Sequence, residues 1–79
     1  MKVLSVEVKV TEDTYKISNY DDRKVVLHRN GEQLQSFSST GDRENKTKII
    51  HNRIFGKNPI GFDMEYMLLL SIVSMLMDG

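Results

Sequence analysis

The sequence predicts an α+β fold, in which a four-stranded antiparallel β-meander is followed by two helices packed on one sheet face (ββββαα). Apolar residues recur at every second position in the first half of the 79-residue chain, which is the period of a half-buried strand. In the second half they recur at every third or fourth position, as on one side of a helix. We therefore expect a single small domain over 1–79, with the meander in 1–38, an amphipathic helix in 42–55 and an apolar helix in 63–77.

Turns divide the first half of the chain into four predicted strands. The strongest signal is Asn30-Gly31, because a type I′ hairpin turn requires a positive φ at both central residues. The strands are expected at 4–10, 15–20, 24–29 and 32–38. The registers that the turns impose place one set of residues on the inner face of the sheet, namely Leu4, Val6, Val8, Val10, Tyr15, Ile17, Val25, Leu27 and Leu34.

The first turn is expected to span 11–14, which predicts how the first two strands pair. It sets Val10 opposite Tyr15. It also sets Lys9 opposite Lys16, where two like charges repel each other.

The two predicted helices have recognisable ends. The segment 39–42 offers several N-cap residues for the first helix, and Gly56 ends it. Asp63 is the expected N-cap of the second helix, with Phe62 and Met67 forming a hydrophobic staple around it.

The composition limits the classes of function. The chain has no cysteine, which excludes disulfides, thiolate catalysis and cysteine-bound zinc, and which fits a cytoplasmic protein. The formal net charge is zero, which argues against a general polyanion binder. Glu7 and Lys9 interrupt the first apolar run, so we expect no signal peptide. The C-terminal helix would span about 21 Å, short of a bilayer core of about 30 Å, so we expect no membrane insertion.

The titratable residues do not form a pattern typical of catalysis. His28 is expected on the outer face of the sheet and His51 on the polar side of the first helix, both in contact with solvent. Asp21 and Asp22 are interpreted as turn formers rather than as an acid–base pair. We expect no enzyme, no cofactor and no bound metal ion.

The C-terminal helix is the most informative segment of the chain. Over 64–77 it carries no charge after Glu65, and only Ser71 and Ser74, with Met67 between them, form a weakly polar stripe. A helix that is apolar nearly all round is buried on more than one side. Either the sheet and the first helix cover it, or part of it packs on a second copy in an isologous homodimer, which we favour. The expected dimer residues are Leu69, Leu70, Val73, Met75, Leu76 and Met77.

The outer face of the sheet is a second candidate surface. An aromatic and aliphatic patch within polar surroundings is typical of a protein-binding face. A bulge in the fourth strand would instead turn Phe37 inward. The residues expected to bind a partner are Tyr20, Lys24, Val26 and Phe37.

A basic segment at 43–57 suggests nucleic-acid contact as the alternative function. On a helical wheel Lys46 and Arg53 fall among the isoleucines, so that only Lys48 projects squarely outward. The residues considered for this contact are Arg43, Lys46, Lys48, Arg53 and Lys57.

Taken together, these observations favour a small non-enzymatic protein-interaction module that is homodimeric through its C-terminal helix. Small cysteine-free chains of this architecture are a format that phages and mobile elements use for inhibitors of host proteins. We therefore expect an inhibitor or adaptor whose partners are a second copy of itself and another protein.

Overall fold

The computed structural model describes residues 4–20, 24–38, 40–61 and 63–78, without the side chains of Tyr20 and Asp78. Its elements are β1 (Leu4–Val10), β2 (Asp13–Tyr20), β3 (Lys24–Arg29), β4 (Glu32–Ser38), α1 (Arg43–Phe55) and α2 (Met64–Asp78). The strands form one antiparallel sheet in the order β1-β2-β3-β4, which confirms the predicted ββββαα arrangement. Asp21 and Asp22, interpreted above as turn formers, lie outside the described residues.

The first hairpin is tighter than the sequence predicts. Val10 pairs with Asp13 rather than with Tyr15, so the turn consists of only Thr11 and Glu12, with Thr11 at a φ of 54°. The pairing differs from the predicted one by two residues. Because side chains alternate between faces with a period of two, each one stays on its predicted side of the sheet.

The shorter turn also changes which charges face each other. Lys9 lies opposite Thr14, and Glu7 lies opposite Lys16. The predicted repulsion between Lys9 and Lys16 is therefore wrong. An attractive cross-strand pair replaces it, which favours this register over the predicted one.

A β-bulge in β4 moves Phe37 to the other face of the sheet. The register shifts by one residue between Leu27 and His28 of β3, with Leu34 as the extra residue of β4. Beyond the shift, Phe37 lies opposite Val25 and packs, partly buried, against the core. The predicted position of Phe37 on the outer face is therefore wrong, because a shift of one residue exchanges the two faces.

The ends of α1 follow from local chemistry. The Asp42 carboxylate accepts hydrogen bonds from the backbone N–H groups of Glu44 at 3.0 Å and Asn45 at 3.2 Å, as an N-cap does. At the other end Gly56 adopts a φ of 74° and donates its N–H to the Asn52 carbonyl at 2.8 Å. Glycine takes this left-handed conformation without a steric penalty, so the helix ends there as predicted.

The second helix, α2, is held at both ends. Asp63 accepts a hydrogen bond from the Tyr66 N–H at 2.8 Å, which confirms it as the N-cap. Phe62, half of the predicted staple, lies outside the described residues. At the other end the Asn19 amide of β2 donates to the carbonyl of Leu76. The last four carbonyls of a helix have no partner within it, so this contact ties α2 to the sheet.

The hydrophobic core lies between the inner face of the sheet and the helices. α2 packs on β1, β2 and β3, and α1 packs beside α2. The buried cluster consists of Tyr15, Ile17, Val25, Leu27, Ile50, Ile54, Leu69, Ile72, Val73 and Leu76. Within the part of the chain that the structure describes, no helix has the length and hydropathy needed to cross a bilayer.

Candidate interaction surfaces

The outward side of α2 is the main exposed apolar surface among the described residues. Met64 is 86% exposed, Leu68 55%, Met75 51% and Met67 46%. These residues and the exposed Ser71 recur at spacings of three or four, so they form one continuous line along the helix. We call Met64, Met67, Leu68, Ser71 and Met75 the α2 stripe.

The opposite side of α2 belongs to the core, which corrects half of the predicted dimer residues. Leu69, Val73 and Leu76 are at most 2% exposed, and they pack inside the fold. Leu70 and Met77 are half-buried. Of the six residues expected at a dimer interface only one is exposed, and that residue is Met75.

The weakly polar line predicted along α2, which consists of Met67, Ser71 and Ser74, locates the stripe only in part. Met67 and Ser71 of that line belong to the stripe, whereas Ser74 is half-buried beside it. The Ser71 hydroxyl donates to the Met67 carbonyl at 3.0 Å and is therefore satisfied within the helix.

The outer face of the sheet does not show the predicted apolar patch within the described residues. Val26 is only 4% exposed, and Phe37 lies on the inner face. Lys24 is exposed, and the side chain of Tyr20 lies outside the described residues. Partner binding by this face stays a prediction, without Phe37 as a contact.

The middle of this outer face is polar. Glu7, Lys16, His28 and Gln33 lie directly opposite one another along a row that crosses all four strands. His28 is half-buried in this row and therefore only partly in contact with solvent.

The basic residues of α1 point in different directions. Lys46 is 9% exposed, and its ammonium donates to the Thr40 carbonyl at 2.5 Å. A Cβ atom at Gly41 would lie 3.1 Å from this ammonium, so a side chain there would crowd it. Lys46 is thus occupied within the fold, and it does not belong to an exposed basic face.

Four polar residues of α1, together with Ile49 and two residues of the following loop, line a groove on the outer side of the helix. Lys48 is exposed there, as predicted, and Arg53 donates to the Gln35 side chain at 3.1 Å. We call this feature the α1 groove, and its lining residues are Asn45, Lys48, Ile49, Asn52, Arg53, Asn58 and Pro59.

His51 is buried, which contradicts its predicted contact with solvent. It is 1% exposed, and its ring centroid lies 4.7 Å from that of Phe55. Its Nδ1 lies 2.9 Å from the carbonyl oxygen of Lys57. Since a carbonyl only accepts, Nδ1 carries the proton. The chain that follows Gly56 folds back over this side of α1, which is why a helical wheel places His51 wrongly.

Tyr66 lies where the beginnings of the two helices meet. It is 1% exposed, and burial raises the pKa of its phenol, with further increases from the nearby carboxylates of Glu44 and Asp42. All three causes disfavour a negative charge on the phenol oxygen. Tyr66 is therefore held in its neutral form over a wider pH range than a tyrosine in solvent.

Among the described residues, no three His, Asp or Glu side chains are grouped so that they could hold a metal ion. Compared with known protein families, with curated proteins and with solved structures, the chain gives no match.

Proposed function

We propose that this protein is a non-enzymatic interaction module that forms a homodimer through the α2 stripe and acts, as an inhibitor or adaptor in the cytoplasm, by binding another protein. The observation that carries the proposal is the exposure of four large apolar side chains along one side of α2. Leaving these side chains in water forgoes the burial that stabilises most protein interfaces.

The area of the stripe supports a second copy as its occupant. Its four apolar side chains expose roughly 500 Å², near the upper end of the largest apolar patch on a typical monomer. In an isologous dimer the same patch is buried on both chains, which gives roughly 1,000 Å² before flanking residues contribute. The half-buried Leu70, Ser74 and Met77 flank the stripe and would extend this area.

Charge and side-chain size also favour self-association. The net charge of the chain is zero, so two copies approach without long-range repulsion. The spacing of three and four residues is that of a helix-packing seam. Ser71, at the centre of the stripe, is small enough to let two helices approach closely.

Cysteine cross-linking tests this interface directly, because the natural chain contains no cysteine. In a two-fold dimer centred on the stripe, residue 71 of one chain faces residue 71 of the other. The Ser71→Cys variant is therefore expected to form a disulfide-linked dimer under mild oxidation. The disulfide needs Cα atoms within about 7 Å, so random collisions form it poorly.

Lys48→Cys provides the matched control, since Lys48 is exposed on the other helix. It is expected to remain monomeric on a non-reducing gel. Equal cross-linking of the two variants, or none at position 71, would contradict a dimer through the stripe and would leave a different protein as its occupant.

A further inference from the structure

We infer that the α1 groove binds an extended acidic peptide segment of a partner protein. This inference goes beyond self-association through α2, because it concerns the outer side of the other helix. It identifies the chemistry of the other protein that the proposed function requires, and the residues of this chain that bind it.

The groove combines positive charge with amide groups. Lys48 and Arg53 contribute two cations, and the described residues that line the groove include no carboxylate. Because the whole chain carries no net charge, the positive potential of the groove itself is what attracts an anionic ligand. Arg53 is oriented by its hydrogen bond to Gln35 at 3.1 Å, and its other N–H groups remain available for a carboxylate.

The spacing of the asparagines suits an extended main chain. Asn45 and Asn52 lie two helical turns apart, a rise of about 10.5 Å. Three residues of an extended peptide span about 10 Å. An amide side chain carries both a donor and an acceptor, so each asparagine is able to pair with the N–H and C=O groups of a peptide backbone.

A third asparagine orients the side chain of Asn52. The Asn52 amide donates to the Asn58 carbonyl oxygen at 3.0 Å, which joins α1 to the following loop. This contact leaves the side-chain oxygen of Asn52 and the side-chain nitrogen of Asn58 able to form hydrogen bonds with a ligand. Ile49 and Pro59 are half-buried, and they give the groove an apolar wall.

A nucleic acid fits the groove less well than a peptide does. Proteins that bind single strands stack bases on aromatic side chains, and the described residues lining the groove include no aromatic ring. Binding through phosphates needs a broader basic face, and Lys46 is withdrawn from this one by its bond to Thr40.

The test is fluorescence anisotropy with the full chain and three labelled probes. The first is an eight-residue peptide of alternating glutamate and valine, the second is the same peptide with lysine in place of glutamate, and the third is a single-stranded oligonucleotide of similar charge. We expect the acidic peptide to bind and the other two probes not to bind at matched concentrations. If the oligonucleotide binds and the acidic peptide does not, the inference is overturned.

Two sets of variants separate the contribution of the amides from that of the charges. Asn45→Ala with Asn52→Ala is expected to lower the affinity for the acidic peptide by about tenfold or more, because each change removes a contact with the main chain of the peptide. Lys48→Glu with Arg53→Glu is expected to abolish binding. Lys9→Glu with Lys16→Glu makes the same change of charge at exposed positions of the outer sheet face and is expected to leave binding within about twofold, with the small change due to long-range charge alone.

The two sets also define the results that overturn the inference. If the charge reversals in the groove and on the sheet weaken binding equally, the ligand responds to net charge and the groove is not its site. If the double alanine variant binds as tightly as the natural chain, the asparagines do not clamp a main chain. Because alanine favours the helix over asparagine, the double alanine variant is expected to stay folded, and circular dichroism checks the fold of every variant.

Discussion

At the scale of single residues, three buried polar side chains hold the connecting segments in place. Asn19, Lys46 and His51 each contact a main-chain carbonyl that has no partner in a helix or sheet, at Leu76, Thr40 and Lys57 respectively. A buried polar side chain left without a hydrogen-bond partner costs about 1–3 kcal/mol. These side chains therefore determine where the loops and the helix end lie, whereas the apolar core determines which faces meet.

Tyr66 gives a residue-scale prediction about pH. Its folded pKa is raised above the unfolded value of about 10. The stability that comes from burying the neutral phenol is therefore complete below about pH 10, and it is lost as the pH rises through the folded pKa. We expect Tyr66→Phe to lose less stability on alkaline titration than the natural chain.

The measurement for Tyr66 is urea unfolding at neutral and alkaline pH, for both proteins. Ultraviolet titration of the tyrosinate signal provides a check, since the most alkaline ionisation is expected to be missing in Tyr66→Phe. An identical pH dependence of the free energy of unfolding in the two proteins would show that Tyr66 ionises freely.

The partners in these three carbonyl contacts could not be predicted from the sequence pattern. A polar residue such as His51 looks solvated in a helical pattern, since its partner lies beyond Gly56, in a loop whose path the pattern does not describe. The reverse holds for Asp63, whose capping role depends only on the next three residues and was predicted, and for Asp42, which was one of several candidates in the segment 39–42.

At the scale of elements, the strand pairing predicted from the sequence differs from the structure in two places, with different consequences. In the first hairpin the observed register differs from the predicted one by two residues, so every side chain lies on its predicted face of the sheet. The bulge at Leu34 is a shift of one, and it moved Phe37 from the outer face to the core. The pattern of alternation therefore predicts faces reliably only up to the first bulge.

The faces of α2 allow a matched test at this scale. Leu68 and Leu69 are neighbours of the same type, but they are 55% and 2% exposed. Leu69→Ala is expected to lower the free energy of unfolding by roughly 2–5 kcal/mol, as buried large-to-small changes do. Leu68→Ala is expected to lower it by no more than about 0.5 kcal/mol at low protein concentration, where dimerisation contributes little.

Chemical unfolding of the two variants at one low concentration measures this difference. Equal losses would mean that α2 is rotated relative to the sheet. Repeating the measurement at high concentration separates the roles further, because only Leu68→Ala is then expected to lose dimer stability.

At the scale of the whole molecule, the dimensions explain why α2 keeps an exposed apolar side. The fold measures 34 × 26 × 16 Å, which corresponds to one layer of sheet and one layer of helices. In such an arrangement the sheet covers one side of α2 and α1 covers a second, and the outward side remains open. The sequence predicted that α2 needs a further partner, but the rotation of the helix, and thus the residues of the stripe, required the structure.

The most direct test of the account is the absolute mass in solution, measured by light scattering over a range of concentrations. The natural chain is expected to have about twice its chain mass of 9.1 kDa. Leu68→Lys with Met75→Lys places charges in the stripe and is expected to return the mass to that of one chain. Gln33→Lys with Ser36→Lys, on the exposed outer face of the sheet, is expected to leave the dimer intact. A natural chain that stays at 9.1 kDa at every concentration would contradict the dimer through α2.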